Sequence, residues 1–227
     1  PYAKGATGNV ATEDVVYLLD GDFTFGMAAA LTQAIHWSWG TPELIVVGIN
    51  YDMESYEQWG HLRERDFKIP ELQDAPADSV ANLFLQALTQ EILPFIDANY
   101  QTLPSDRCLY GYSSSGFFVL YALLHQPDAF QRYLSGSGEF SIAYPYLIQH
   151  ATQLASQETD NSLQLYLSTG ELEEGELPFF NQLIAFLKQG NYPGLHLTTE
   201  IYPGEGHCPE GIALTYLHGI RKVYQAG

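Results

Sequence analysis

Short apolar runs alternate with longer stretches of helical spacing from one end of the chain to the other, and this rhythm restricts the fold more than any other feature. The runs are DVVYLLD (14–20), ELIVVGI (43–49), RCLYGY (107–112), FQRYLSG (130–136), LQLYLST (163–169) and LHLTTEIY (195–202). Helical patterns fill about 24–37, 79–99, 114–126, 140–156, 176–189 and 209–226. Repeated strand-helix-strand units specify a mostly parallel sheet of about six or more strands, covered by helices on both faces in three αβα layers. Val80, Leu83, Phe84, Ala87, Leu88 and Ile92 keep helical spacing up to Pro94, and Asp78 or Ser79 is placed to cap that helix. Residues 50–77 form the one long segment read as irregular, and loops of that length in compact domains tend to carry function.

The 227 residues suffice for one substantial core, so a single domain spanning 1–227 is expected. No run approaches the roughly 18 apolar residues of a membrane helix, which predicts a soluble chain without a membrane partner. Nine basic against 27 acidic residues leave a formal charge of −18. Such a surface repels nucleic acid and anionic lipid and favours a neutral or cationic small molecule. Cys108 and Cys208 are too few for a disulfide framework and lack metal or redox spacing. With no signal peptide visible at PYAKGATGNV, a cytoplasmic location is expected. No cofactor is called for. Glu205, His207, Cys208 and Glu210 lie close in sequence, but their spacing fits no common zinc pattern, so no metal is assigned.

The chemistry concentrates after the third run. Gly111-Tyr112-Ser113-Ser114-Ser115 fits the nucleophile elbow G-x-S-x-G with Ser115 in place of the second glycine. A strand that doubles back into a helix this tightly needs small residues two before and two after the nucleophile. Gly111 meets the first demand and Ser115 is small enough for the second, which makes Ser113 the candidate; moving the register to Ser114 would put Tyr112 where a small residue is required. The alternative is that the serines only cap the helix at 114–126.

A serine hydroxyl needs a base, and the base needs an orienting acid. The expected chain order for such a sheet is serine, acid, histidine. Of seven histidines, His207 alone follows the last strand candidate within a loop of turn residues, YPGEGHCPEG. The acid belongs on GELEEGE (170–176), where Glu173, three past Gly170, is favoured, Glu171 is second, and Glu174 and Glu176 compete. The oxyanion of the intermediate requires N–H donors. The amide of Ser114 is one candidate, and that of Asp22, beside Gly21 in the turn after the first strand, is the other.

Taken together, VVYLLDGD, GINY, RERDFKIP, GYSSSGFFVLYALLHQPDAFQRYLSGSG, YLSTGELEE and PGEGH resemble the bacterial esterase D-like branch of the α/β-hydrolases, which contains siderophore trilactone esterases and carboxylesterases. The likeness runs from about Asp14 to the C-terminus. It implies an α/β-hydrolase fold, Ser113 as nucleophile, His207 as base, an acid within 170–174, and an Arg65-Asp66 pair matching an R-D-x-T-P element. The chain departs from the branch at Tyr112 and Ser115, where G-H-S-x-G-G is usual, and at the missing threonine of RDFKIP. Some siderophore esterases are thought to use a serine-histidine dyad, so the resemblance alone does not make Glu173 essential. Branch members usually carry further strands before LLDGD, so a shorter sheet or a trimmed chain is expected.

Tyr51, Tyr56, Trp59, His61, Arg63 and Arg65, with Trp37 and Trp39, could wall a pocket for an apolar or aromatic acyl group, with Tyr112, Trp59 and Arg65 the substrate-pocket candidates. The favoured alternative is that these aromatics only pack the lid and that Arg65-Asp66 is a structural ion pair. The leading expectation is a serine esterase that cleaves a carboxylic ester through an acyl-enzyme. Alternatives are a siderophore lactone esterase, an acyltransferase or thioesterase using the same residues, or a non-catalytic binding protein on this scaffold.

Overall fold

The computed structural model describes residues 12–154, 162–190, 192 and 194–225. Six parallel strands, β1 (Glu13–Leu18), β2 (Leu44–Gly48), β3 (Thr102–Tyr112), β4 (Arg132–Gly136), β5 (Leu163–Gly170) and β6 (Leu195–Tyr202), form one sheet in the order β2-β1-β3-β4-β5-β6. Among the described residues eight α-helices accompany them: α1 (Gly21–Trp39), α2 (Tyr56–Phe67), α3 (Ala81–Ala87), α4 (Leu93–Asn99), α5 (Ser114–His125), α6 (Phe140–Leu154), α7 (Leu177–Gln189) and α8 (Glu210–Tyr224). The expected three-layer α/β architecture is the one observed.

Alternate side chains along each strand feed two separate cores. Val15, Tyr17, Leu109, Tyr133 and Leu165 face Leu85, Leu88, Phe117, Phe118, Leu147 and Phe180 from the middle helices. Val16, Cys108, Tyr110, Leu134 and Tyr166 face Ala28 and Ile35 of α1 and Tyr216, Ile220 and Val223 of α8. Both faces are thus covered, which is why the strands read as continuous apolar runs.

Three details differ from the sequence reading. The segment 50–77 contains α2, whose polar, tryptophan-bearing sequence hides its period. Its start is capped by Ser55, whose Oγ accepts from Gln58 N at 3.1 Å, while Gln58 Oε1 accepts from Glu54 N at 2.9 Å. The helix at 79–99 is interrupted by a π-turn at Leu88–Ile92. Neither Asp78 nor Ser79 caps it: Val80 holds the cap position, its amide bonded to Arg65 O at 2.8 Å, while Ser79 Oγ donates to Pro76 O. Residues 155, 156 and 226, which the helical patterns included, lie outside the described residues.

The winding of the chain across the sheet reverses between β1 and β3, so the connections leaving their carboxyl ends run opposite ways and leave a crevice, the usual place for ligands in such sheets.

Candidate active site

Ser113 connects β3 to α5 with φ 62° and ψ −128°. That conformation is disfavoured for any residue with a Cβ, at a cost of order 1–3 kcal/mol. Among the described residues, the non-glycine positions with positive φ are Asp20, Ser113, Ser137 and Glu139, all in loops at the carboxyl ends of β1, β3 and β4. Strain is therefore gathered on one rim. A Cβ at Gly111 would stand 2.5 Å from the Ser115 carbonyl carbon, so the reversal tolerates nothing larger there. Ser113 N donates to Gly136 O at 2.9 Å, fastening the turn to β4.

Ser115 does more than stay small, contrary to the sequence reading. Its Oγ accepts from Tyr112 N at 2.9 Å and lies 2.7 Å from Asp20 Oδ2, so a side chain where glycine is usual ties the elbow to the β1–α1 turn. Ser114 Oγ points behind the elbow, 2.6 Å from Glu64 Oε1 and 2.7 Å from Glu139 Oε1. Lys68 Nζ sits among the same carboxylates, 2.7 Å from Glu64, 3.3 Å from Glu139 and paired with Asp74. Burial pushes the Glu139 carboxyl up, against the pull of Lys68.

On the far side of the crevice, His207 Nδ1 lies 2.7 Å from Glu173 Oε2. Glu173 is buried, and its other oxygen accepts from Ser137 Oγ at 2.6 Å, Gly170 N at 2.8 Å and Thr169 Oγ1 at 3.2 Å. Burial alone would raise this carboxyl; the bonds from His207, Ser137 and Gly170 outweigh it and hold the group below its ordinary value. The bond to Glu173 raises His207 above the ordinary histidine value, burial opposing. Glu171 turns away to accept from Gly204 N, and Glu176 binds Ser141, so neither competes for His207.

A cavity of about 360 Å³ joins the two sides, lined by Asp20, Phe23, Thr24, Tyr56, Trp59, Arg63, Tyr112, Ser113, His207, Cys208 and Ile212. Ser113 and His207, 94 positions apart in sequence, thus open on one space.

Residues 9–176 match the family described as "Putative esterase". The chain belongs to that esterase family. Ester hydrolysis is its chemistry. This esterase is 30% identical over 215 residues to the ferri-bacillibactin esterase BesA of Bacillus subtilis, a match covering 85% of this chain and 73% of BesA. In fold it is similar to the BES protein from Bacillus cereus (TM-score 0.81, 23% identity, 97% of this chain and 87% of that one). It is also similar to the enterobactin esterase FES from Shigella flexneri, solved in the presence of 2,3-dihydroxy-N-benzoylserine (TM-score 0.70, 19% identity, 99% of this chain and 54% of that one).

Of the pocket candidates, Tyr112 and Trp59 line the esterase's cavity and Arg65 does not. Arg65 is spent on Asp66, with Nε 2.7 Å from Oδ1 and Nη2 3.1 Å from Oδ2. Arg63 takes the place expected of it. Two positions earlier on α2, its buried guanidinium is bidentate to Asp20 at 2.8 Å twice and reaches Ser114 Oγ at 3.2 Å. Without α2 in the reading, sequence could not show which of the two arginines turns inward. Phe23, Tyr56 and Trp59 pack edge to face or tilted at 4.6–6.3 Å, with Arg63 4.9 Å over Trp59. Trp37 is 78% exposed and Trp39 stacks on Arg221, both at the far end of α1, so neither walls the pocket. Asp22 and Ser114 adjoin the liners Phe23 and Ser113, and Asp22 Oδ2 accepts from Tyr51 N at 2.9 Å. Sequence reasoning assigned no role to Ser137 and Asp20, although both lie inside quoted motifs, because their partners Glu173 and Arg63 are distant in sequence and only the fold brings them to the rim. No described helix is long and apolar enough to cross a membrane.

Proposed function

We propose that ester cleavage by this protein runs through Ser113 as nucleophile, with His207 as base and Glu173 as the acid that orients it. One observation carries the reading: a strained serine at a strand-to-helix elbow shares a cavity with a histidine whose ring is held by a buried carboxylate. His207 takes the Ser113 proton as Oγ adds to the ester carbonyl, returns it to the leaving alcohol as the acyl-enzyme forms, and then draws a proton from the attacking water. The oxyanion is met by the Ser114 amide in the first turn of α5 and the Asp22 amide in that of α1, where helix dipoles also favour negative charge. In α1, Gly21 N is engaged by Ile49 O, and Phe23 N and Thr24 N by Asp20 O, which leaves Asp22 as the first-turn donor to offer.

The substrate reading is an ester bearing planar aromatic groups, of the siderophore class that the relatives' names point to. Phe23, Tyr56 and Trp59 offer ring faces and edges at the mouth, while Arg63 and Asp20 neutralise each other within it. That balance suits a neutral or weakly anionic ligand more than a multiply charged complex. Kinetics on a cyclic triester of 2,3-dihydroxybenzoylserine and on p-nitrophenyl acetate test both levels. Ser113→Ala should abolish both activities, and the aromatic triester should show the higher kcat/KM. Turnover by Ser113→Ala equal to wild type would end the nucleophile assignment, and preference for the short ester would end the substrate assignment.

A further inference from the structure

Tyr112 occupies the position just before the nucleophile, where the resemblance leads one to expect histidine, and its surroundings are built around it. The residue is 5% exposed. A Cβ at Gly136, at the end of β4, would stand 2.5 Å from Tyr112 Cδ2, and a Cβ at Gly211, in the first turn of α8, would collide with Tyr112 Oη. Two elements from different parts of the chain thus leave out a side chain where the tyrosine lies. The hydroxyl, at the end of that seat, donates to His207 O, and Ser137 Oγ is 2.9 Å away. The ring centroids of Tyr112 and His207 are 5.3 Å apart.

The hydroxyl protons can be counted. Tyr112 has one, and the His207 carbonyl takes it. Ser137 has one, with two oxygens in reach; Glu173 Oε1 at 2.6 Å is both nearer and charged, and takes it in preference to Tyr112 at 2.9 Å. Both protons are therefore used in holding the base and its acid.

We propose that Tyr112 is a positioning residue: a rigid strut, rooted next to Ser113 in the backbone and bonded at its tip to the backbone of His207, that sets the spacing of nucleophile and base. The inference rests on the assignment of Ser113 and His207 above. It gives Tyr112 a different task from substrate contact, although one side of the ring borders the cavity. A phenol ring transmits position well because it has only two rotatable bonds and its seat blocks both.

Tyr112→Phe keeps the ring in its seat and removes only the tip. Kinetics with p-nitrophenyl acetate across pH should show kcat lowered about tenfold, as for loss of one hydrogen bond held in the transition state, with KM within about twofold of wild type. The acid limb of the kcat/KM profile should also move down toward the ordinary histidine value, because a loosened imidazole loses part of its bond to Glu173. A tyrosine that merely packs would lower the melting temperature and leave the limb in place. Gly211→Ala tests the same link with every functional group retained: it should match the loss in Tyr112→Phe, and its penalty should shrink when made in the Tyr112→Phe background. An unshifted limb with kcat within twofold of wild type in Tyr112→Phe, or strictly additive losses in the double variant, would overturn the strut. Parallel Ser113→Ala and His207→Ala variants, inactive if the site is correctly read, separate that result from failure of the site itself.

Discussion

His207 and Glu173 shift each other in opposite directions, and the consequences for activity and stability can be worked out by sign. In its proposed role as base, His207 must be neutral. Because its bond to Glu173 raises it above 6.5, kcat/KM should fall as pH drops through a value above that figure. Glu173→Gln removes the charge that raises it, so the acid limb should move down toward pH 6.5 while the plateau falls about 10²–10⁴-fold. For stability, the lowered Glu173 contributes above its ordinary value of 4.5 and loses that contribution as pH falls through its folded value. The raised His207 contributes below 6.5 and loses it as pH rises through its folded value. Urea unfolding should therefore show the largest wild-type advantage over Glu173→Gln between about pH 4.5 and 6.5; an advantage that grew steadily above pH 8 would have the wrong sign. The two arginines of α2 separate at this scale too. Arg65→Ala lies outside the cavity and should leave kcat/KM within about twofold, but it strips the buried Asp66 carboxylate of its bidentate partner and should cost about 1–3 kcal/mol. Arg63→Ala strands the buried Asp20 carboxylate and should cost about 3–5 kcal/mol by denaturant titration.

At the scale of elements, the elbow is the junction that everything else serves. Ser115→Ala would leave Tyr112 N unpaired in a buried turn and cut its link to Asp20, at about 1–3 kcal/mol read from the urea midpoint. A midpoint equal to wild type would show that Ser115 only fills space there. The six strands, the elbow and the loops bearing Glu173 and His207 were legible because apolar runs and turn residues report burial and chain reversal locally. What was not legible depended on partners distant in sequence. Helix α2 displays only three buried residues, Arg63, Asp66 and Phe67, two of them charged, so hydrophobic period carried no signal. The Ser55–Gln58 pair was the one local trace: it has the sequence spacing of a capping box, with the return bond of Gln58 made to the amide of Glu54 instead of Ser55. Arg63 and Arg65 were both read as pocket walls, the resemblance drew attention to Arg65, and only α2 shows that Arg63 is the one turned inward. Ser137 and Asp20 lie within RYLSGSG and VVYLLDGD, but what they hold, Glu173 and Arg63, is distant in sequence, so the motifs alone did not give them a role.

For the molecule as a whole, the topology explains how residues 20, 113, 137, 173 and 207 come together: each follows a different strand of one parallel sheet, at its carboxyl end. The formal charge of −18 adds a repulsive background. Raising ionic strength from low salt should raise the melting temperature at pH 7, as screening over about 10 Å at 0.1 M weakens that repulsion. Transfer of the Ser113 proton to His207 above the sheet, as proposed, is put to the test most directly by rapid-mixing kinetics with p-nitrophenyl acetate followed by peptide mass analysis. The expected result is a p-nitrophenol burst near one equivalent per chain with an acetyl group on the Ser113 peptide, and neither in Ser113→Ala. Acetyl carried by another residue, or an undiminished burst from Ser113→Ala, would contradict it.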